Sequence, residues 1–409
     1  MNKKKIFNDP VYGFVTLPSE LVFDLVEHPY FQRLRRIKQV AMTEYVYPGA
    51  LHTRFQHALG AMHLMGITLD TLRNKGYEIS DRECEAAQIA VLLHDIGHGP
   101  FSHTLECCIL AGVPHEQMSL LLMQELNRQF GGALDLAIEV FGNRYPRTFF
   151  HQLVSSQLDM DRMDYLQRDC FFTGVLEGTI GADRIIKMLE IVDDRLVVQE
   201  KGIYSIENFL NARRLMYWQV YLHKTTISAE TMLIQVIRRV RELLQAGEKL
   251  FSTPALTVFL QQEVTLADFE REARYLPAFA LLDDHDLWAG IKLWMDHADP
   301  VLSRLSRMLL DRRLFKIILS NQPIGVNTVA ELRENLRQQI ALDDHARSYF
   351  LVEGSTSNAA YVAGGQKINI LTKQGQVVDI AEASDLPNIK ALSQVVKKYY
   401  VCYAKNLPG

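Results

Sequence analysis

The chain has 409 residues, more than one ordinary domain contains, and 48% of them are hydrophobic against 22% charged. That balance predicts a soluble globular protein with a substantial core. The formal net charge of −4 gives no global basic field, so nucleic acid is not an expected partner. The five cysteines form no C-x-x-C pair, and no apolar run approaches the roughly 18 residues that cross a bilayer. We therefore predict a cytoplasmic protein that does not associate with membranes.

The N-terminal part of the chain is predicted to be helical after a short extended start. Residues 6–17 read as a turn with a brief strand, since Asp9-Pro10 interrupts short apolar runs. From about residue 19 to 182 the apolar residues have helical spacing almost throughout. The clearest helix is Asp81–His94, which begins with acidic residues and finishes in a wholly apolar stretch. Its C-terminal end is therefore expected to be buried.

The second half of the chain mixes helices with short strands. Residues 195–204 predict a small hairpin around Lys201-Gly202. Helical spacing resumes from about residue 206 to 341, with breaks at Thr253-Pro254 and Asp299-Pro300. The remaining strand candidates are 368–372 and 376–380, which flank a Gln374-Gly375 turn, and 399–403. The predicted architecture is mainly α with a small α+β C-terminal region.

Histidine is concentrated in one stretch, because seven of the 13 histidines lie between residues 52 and 115. Histidine is the commonest metal ligand and the natural proton carrier near neutral pH. His94-Asp95 stands where the buried helix ends, and the pair offers one neutral nitrogen and one anionic oxygen to a divalent ion. His98 follows one helical turn later. Gly97 and Gly99 are expected to leave room for a ligand to approach the backbone.

Two flanking segments add charged groups to this stretch. Arg54-Phe-Gln-His57 opens a helical segment with a cation one turn from a possible ligand, and residues 159–169 are rich in acids. Alone, the acidic segment would equally suit a salt-bridged helix face. An isolated His-Asp pair is usually chance, and we interpret His285-Asp286, between further aspartates, as a solvated loop. The Leu-Leu-His-Asp-Ile-Gly-His context is far more specific.

The run His94-Asp-Ile-Gly-His-Gly-Pro-Phe-Ser-His103, with Arg54-Phe-Gln-His57 before it and Asp159-Met-Asp-Arg-Met-Asp-Tyr165 after it, resembles the HD-domain deoxynucleoside triphosphate triphosphohydrolases. The likeness is to bacterial members of about this size and to the vertebrate protein that joins a SAM domain to an HD domain. It covers residues 5–240 well and the remainder loosely. It implies four regions: an N-terminal segment (1–50), an HD metal-binding helical core (51–182), a helical extension that completes the substrate site (183–341), and a small α+β region (342–409).

The resemblance also implies roles for individual residues. The metal ligands are His57, His94, Asp95 and Asp161. Asp95 is also counted in the catalytic set with the histidines around the α-phosphate, which are His98, His103 and the proposed general acid His115. The sugar and phosphates are held by Gln39, Arg54, Arg162, Tyr165, Asp169, Arg213 and Tyr221. In the family a water attacks the α-phosphorus and releases a deoxynucleoside and inorganic triphosphate, and a histidine can protonate the leaving oxygen.

A second part of the resemblance concerns regulation. Lys5, Asn8, Gln32 and Arg35 match an activating nucleotide site between subunits, and Glu27 stands where the vertebrate protein has a shorter Asp that reads guanine. This implies a guanine nucleotide activator and a homo-oligomer, either a dimer or a tetramer. The alternative is that the segment is a basic helix face that packs against a neighbouring subunit.

The chain departs from the family at several other positions. Arg162 replaces a lysine, Leu222 a glutamine and Tyr12 a histidine, and the stretch from Tyr217 lacks a pair of arginines. The metal site is intact, and its two histidines and two aspartates accept manganese, iron, zinc or nickel, with magnesium entering on the nucleotide.

Two alternative functions stay open from the sequence. One is an HD-type phosphatase or phosphodiesterase acting on a nucleoside monophosphate or another nucleotide. Arg54, Arg162 and Arg213 favour a substrate with several phosphates, because one phosphate rarely needs so many cations. The other is a nucleotide-sensing scaffold without turnover. His98 and His115 argue against it, since binding alone needs no acid.

Overall fold

The fold is given by a computed structural model that describes residues 5–110, 112–359, 361, 367–386, 389, 392 and 394–405, without the side chains of residues 103, 105 and 107. Helices make up 56% of the described residues, and the strands form small sheets. The prediction of a mainly α protein with a small α+β C-terminal region is confirmed. Within the described ranges, no helix is both long enough and apolar enough to cross a membrane.

The secondary structure alternates between long core helices and shorter connecting ones. The N-terminal helices are α1 (Glu20–Glu27), α2 (Pro29–Gln32), α3 (Arg54–Asn74), α4 (Asp81–Leu93), α5 (His103–Ile109), α6 (His115–Gln129), α7 (Asp135–Phe141), α8 (Phe149–Val154), α9 (Met160–Thr173) and α10 (Ala182–Met188). The later helices are α11 (Ile203–Met216), α12 (Lys224–Gln245), α13 (Pro254–Gln261), α14 (Leu266–Arg271), α15 (Tyr275–Phe279), α16 (Asp284–Trp294), α17 (Pro300–Leu310), α18 (Val326–Gln339), α19 (Asp344–Ser348) and α20 (Ile380–Ala383). The strands are β1 (Ile6–Asp9), β2 (Gly13–Thr16), β3 (Leu189–Val192), β4 (Arg195–Gln199), β5 (Lys316–Ser320), β6 (Leu351–Asn358), β7 (Asn369–Leu371), β8 (Val377–Asp379) and β9 (Val396–Tyr403).

Helix α4 forms as its sequence predicts. The Ser80 hydroxyl accepts from the backbone N–H of Glu83 at 3.2 Å, and the Glu83 carboxylate accepts from the backbone N–H of Ser80 at 2.8 Å. This reciprocal cap satisfies donors that the first turn would otherwise leave unpaired. The last residues of the helix, 89–93, are all buried, which confirms the expected burial of its end. His94 follows as the C-cap residue.

Helices α3 and α9 pack together in the core. The capping residues of each helix determine where the helix begins and therefore where its site residue lies. Thr53 and Gln56 cap α3, so that the helix begins at Arg54. The Asp159 carboxylate accepts from the backbone N–H of Arg162 at 2.7 Å and starts α9. Asp161 consequently lies in the first turn of α9, where the helix dipole favours a negative charge.

The predicted hairpin at 195–204 lies earlier in the chain than expected. Strands β3 and β4 pair antiparallel, and the turn between them is Asp193-Asp194, with φ values of 50° and 55°. Aspartate tolerates this left-handed conformation, which two-residue hairpin turns require. Lys201-Gly202 instead belongs to a short 3-10 turn before α11.

The C-terminal strands pair with earlier parts of the chain. The predicted strands around Gln374-Gly375 and at 399–403 are confirmed as β7, β8 and β9. β7 pairs parallel with β4, and β9 lies between β5 and β6. Strand β5 interrupts the region that was expected to be wholly helical, whereas the breaks at Thr253 and Asp299 are confirmed as helix N-caps.

The segment around His285 is not a solvated loop. It begins α16, and Asp283 caps that helix together with Asp286. Asp284 is buried and accepts from the backbone N–H groups of Lys38 and Phe101 at 2.9 and 2.8 Å. Only His285 itself matches the expectation, because its side chain is exposed.

Candidate metal centre and active site

The four side chains expected to bind a metal converge on one point, although they come from three different helices and their ends. The Nε2 atoms of His57 and His94 lie 3.4 Å apart. Oδ1 of Asp161 lies 3.1 Å from the first nitrogen and 3.4 Å from the second. Asp95 approaches the same two nitrogens at 3.5 and 3.2 Å. His57, His94 and Asp95 are buried, and Asp161 is half-buried at the open side.

This donor set fits a divalent ion. Ligand bonds of about 2.1 Å place neighbouring donor atoms about 3.0–3.4 Å apart at octahedral or tetrahedral angles, which is close to the spacing observed. The remaining ring nitrogens are already used: Nδ1 of His57 faces the Asp164 carboxylate at 2.8 Å, and Nδ1 of His94 faces the carbonyl of Val91 at 2.5 Å. These partners favour a ring hydrogen on Nδ1, which would leave each Nε2 with a lone pair for an ion.

Asp95 is held in its ionised form by its surroundings. Burial opposes ionisation, but the neighbouring His94 and Arg54 hold the pKa of Asp95 well below its usual range. The Arg54 guanidinium donates to Oδ2 of Asp95 through Nη1 and to the Ser102 hydroxyl through Nε, the latter at 2.9 Å. Arg54 therefore orients a candidate metal ligand as well as lining the site.

A second group of side chains lies directly beside the candidate metal ligands. Oδ1 of Asp95 is 3.3 Å from Nε2 of His98, and the rings of His98 and His115 stack with centroids 3.8 Å apart. Nδ1 of His115 lies 3.1 Å from the Glu106 carboxylate. Burial and the charge of Arg54 lower the pKa of His98 to about 3, so that it is neutral.

The loop that follows His94 is fixed against the start of α6. A Cβ on Gly97 would lie 2.2 Å from the backbone nitrogen of Ser119 and 2.3 Å from the carbonyl of His115. The Ser119 hydroxyl accepts from Gly97 N–H at 2.9 Å and donates to the carbonyl of His94 at 2.6 Å. The glycine thus makes room for α6 rather than for a ligand, which corrects our expectation for Gly97. His103, also expected here, lies outside the described side chains.

One cavity of about 560 Å³ opens onto this cluster. The predicted site residues that line it are Gln39, Arg54, His94, Asp95, His98, His115, Asp161, Arg162, Tyr165, Asp169 and Tyr221. Tyr217 and Tyr221 reach it from a π-helical turn that continues α11. Arg213 does not line the cavity: it is buried and donates to Gln157 at 3.2 Å. Such a volume is in the range of cavities that enclose a small ligand.

Polar atoms in the cavity wall are either fixed by the protein or left without a protein partner. The two oxygens of Asp169 meet Nε2 of His52 and the hydroxyl of Tyr221, each at 2.6 Å. By contrast, Oε1 of Gln39 is buried and has no hydrogen-bond partner among the described residues. Buried polar atoms are nearly always paired, so this oxygen is a candidate to bond a ligand.

The predicted regulatory residues gather in part on the surface near the N-terminus. Lys5 pairs with Glu27 at 3.1 Å, and Nε of Arg35 donates to Gln32 at 2.8 Å. The Arg35 guanidinium also lies 3.5 Å from the centroid of the Phe55 ring. Asn8 is exposed on β1, and strand alternation places it on the opposite face from Lys5. Within one chain, therefore, four of the five residues lie together.

Three residues contribute to the site without having been assigned from the sequence. Glu106 faces His115, Asp164 faces His57, and His52 faces Asp169. His52 was visible in the histidine cluster and Asp164 in the acidic segment, but neither spacing shows which residue is the partner. Glu106 lies one turn after His103, and nothing in the local sequence indicated a role for it in the site.

Comparison with known proteins places the chain in a family. It matches the HD domain over residues 54–169 and the HD associated region over residues 180–253. It is 33% identical to YwfO of Bacillus subtilis, an uncharacterized protein, over 94% of this chain and 88% of that one. Human SAMHD1, named a deoxynucleoside triphosphate triphosphohydrolase, is 28% identical over 82% of this chain and 58% of its own length.

A solved structure agrees with this placement. The crystal structure of a phosphohydrolase from Bacteroides thetaiotaomicron VPI-5482 is 52% identical, covers 98% of this chain and 100% of its own, and superposes with a TM-score of 0.94. The four convergent candidate ligands, from His57 to Asp161, all fall inside the matched HD domain. The chain therefore belongs to the HD-domain phosphohydrolase family that includes the SAMHD1 deoxynucleoside triphosphate triphosphohydrolases.

Proposed function

We propose that the protein cleaves deoxynucleoside triphosphates into a deoxynucleoside and inorganic triphosphate. The observation that carries this proposal is the single cavity that joins the metal ligands, the stacked pair His98 and His115, and an aromatic wall containing Tyr165 and Tyr221. A nucleotide with its phosphate at the metal ligands and its sugar against the aromatic wall would occupy both ends of this cavity. The resemblance to triphosphohydrolases supplies the preference for deoxyribose.

In this proposal His57, His94, Asp95 and Asp161 hold one divalent ion. Two imidazoles and two carboxylates suit manganese, iron, zinc or nickel, and magnesium would come with the nucleotide. When bound, the ion supplies positive charge next to the α-phosphate, where negative charge grows as the bond breaks.

The leaving group is the 5′-oxygen of the deoxynucleoside, which needs a proton. His115 is placed to give it, because its ring lines the cavity beside the metal ligands, with Nδ1 3.1 Å from Glu106 and Nε2 3.5 Å from Glu116. The donor atoms of His115, His98 and Asp95 lie within 4.8 Å of one another, so a group on the metal ligands is also within reach of the acid. Neutral His98 stacks on His115 and limits its rotation.

Other cavity residues are proposed to hold the substrate. Arg162 donates through Nε to the carbonyl of Ser156 at 2.7 Å and lines the cavity, so its guanidinium is placed to meet a phosphate. Gln39 supplies a buried oxygen that no described residue pairs, and Tyr165 lines the same cavity. Arg213 acts from behind this wall, since it lies near Tyr217 and outside the cavity. Arg54 and Arg162 are therefore the two cations that favour a substrate with several phosphates.

A substrate panel tests this function. We expect the manganese-loaded protein to release deoxynucleosides from deoxynucleoside triphosphates and to leave deoxynucleoside monophosphates intact, as followed by chromatography. Turnover of the monophosphates in preference would establish the phosphatase alternative. Saturable binding of triphosphates with no product would establish the scaffold alternative.

We further propose that the N-terminal segment (residues 1–50) binds a guanine nucleotide between subunits of a dimer or tetramer. The support is the cluster of Lys5, Glu27, Gln32 and Arg35, which offers two cations for phosphate and a carboxylate that can accept from the N1–H and N2–H₂ edge of guanine. Asn8, on the opposite face of the hairpin, would serve a neighbouring subunit.

Arg35→Ala is the variant that tests this regulation. Adding a guanine triphosphate is expected to raise wild-type activity on other deoxynucleotides and to increase the mass seen by light scattering. The variant should lose both responses and keep wild-type metal content, because Arg35 contacts Gln32 and Phe55 rather than the proposed metal ligands. Arg128→Ala, which removes another exposed arginine, is the control and should respond like wild type. Unchanged rate and mass in the wild type would leave the segment as a subunit-packing face.

A further inference from the structure

A continuous row of buried charged groups connects the N-terminal hairpin to a metal ligand. Oδ2 of Asp9, the last residue of β1, accepts from Nη1 of Arg168 at 2.8 Å. Arg168 donates to both oxygens of Asp164 from Nε and Nη2, each at 2.9 Å. Asp164 in turn faces Nδ1 of His57 at 2.8 Å. The four side chains are at most 7% exposed, so water does not screen this row.

The hydrogen-bonding groups along the row fix its geometry. A planar guanidinium that makes two parallel bonds to a carboxylate allows little rotation of either partner. Oδ2 of Asp164 serves Arg168 and His57 together, so the position of the carboxylate sets the direction of the imidazole. A partner on the far nitrogen of a ligating histidine orients the ring and strengthens it as a ligand.

The row occupies a slot in α3 that the sequence keeps free. A Cβ on Gly60 would lie 1.9 Å from Oδ1 of Asp164 and 2.3 Å from Nη2 of Arg168. Gly60 is one helical turn after His57, so the same helix carries the metal ligand and the space for its supports. A larger residue at position 60 would collide with the hydrogen-bonded pair of Arg168 and Asp164.

Asp9 also holds the turn of the hairpin. Its Oδ1 accepts from the backbone N–H groups of Val11 and Tyr12 at 2.9 and 3.1 Å. The Tyr12 ring lies 5.5 Å from the Arg168 guanidinium. One carboxylate therefore bonds both to the β1–β2 turn and to the row that ends at His57.

We infer that Asp9 is a positioning residue for the metal ligand His57, acting through Arg168 and Asp164. This rests on the proposed metal centre but not on the identity of the substrate. Asp9 ends the strand that also carries Asn8, and Lys5 directly precedes that strand. A shift of the hairpin would therefore move Asp9 relative to Arg168 and change the affinity of the site for the metal. Without the Asp9 charge, Nη1 of Arg168 is buried without an anionic partner, and the guanidinium can turn away from Asp164.

The test is the metal affinity of the full chain with Asp9→Asn. Asparagine keeps an oxygen for the turn but removes the anion that faces Arg168. We expect manganese, titrated against a fluorescent chelator, to bind about 10–100-fold more weakly, the range found when outer partners of metal ligands are lost. Asp9→Glu, which restores the charge, should recover most of this affinity. In both variants, excess manganese should restore much of the hydrolysis.

A matched control separates positioning from stability. Asp299 also uses one oxygen to cap backbone, at Leu302 N–H, and both oxygens to bind an arginine, Arg239. Asp299→Asn should lower the melting temperature to a similar degree and leave manganese affinity unchanged. Wild-type affinity in Asp9→Asn, or an equal loss in Asp299→Asn, would overturn the inference. A wild-type protein that binds manganese but does not hydrolyse deoxynucleoside triphosphates would overturn only the proposed function.

Discussion

Asp95→Asn and His57→Ala are each expected to remove the bound ion and to abolish hydrolysis while leaving the helical fold largely intact. Both side chains point at the convergence of donor atoms, and each loss takes away a ligand that no described neighbour replaces. Asp161→Asn should behave alike, although it comes from a different helix. Elemental analysis of the purified variants gives the metal content, and circular dichroism gives the helix content.

His285→Ala is the control for these variants. It removes a histidine that also stands in a His-Asp pair, but this one is exposed at the start of α16 and away from the site. Metal content and activity should equal those of the wild type. Full metal content in all three site variants would show that the ion is bound elsewhere.

His115→Ala is expected to keep the metal and to lose turnover by roughly 10²–10⁴, the contribution typical of general acid catalysis. Its ring lies beside the ligands rather than among the three closest donors, and its Nδ1 is taken by Glu106. The measurement pairs elemental analysis with kcat for a deoxynucleoside triphosphate. Loss of metal together with activity would instead make His115 a ligand, and turnover close to that of the wild type would remove it from the mechanism.

The sequence is most informative where local patterns and the site coincide. Helix α4 could be predicted because its cap, its acidic start and its apolar end all agree, and its end places His94 and Asp95. The remaining ligands, His57 and Asp161, are far away in the chain, and only the resemblance to a family grouped them. The structure brings all four together.

The errors arise where distant contacts decide the local structure. Strand β5 is a short apolar run whose spacing does not distinguish strand from helix, and it is a strand because it pairs with β9. Asp283 and Asp284 look like a polar loop, yet one caps α16 and the other is buried against Lys38 and Phe101. Neither partner is visible in the local sequence.

The supports of the site were hidden for the same reason. His52, Glu106 and Asp164 each contact a predicted site residue, but the pairings join different elements of the fold. Arg213 shows the reverse case: it matches a family position, and the fold places it behind the cavity wall rather than in it. The place of a residue in a motif predicts the region of the fold in which it lies. The packing of the fold then decides whether its side chain reaches the cavity.

Product analysis in water enriched with heavy oxygen tests the central claim most directly. The manganese-loaded protein is incubated with a deoxynucleoside triphosphate in this water. The products are then separated, and their masses are measured by mass spectrometry. Attack on the α-phosphorus with loss of the 5′-oxygen predicts inorganic triphosphate that carries one solvent oxygen and a deoxynucleoside that carries none. Labelled deoxynucleoside monophosphate with pyrophosphate, or labelled phosphate with a deoxynucleoside diphosphate, would contradict it.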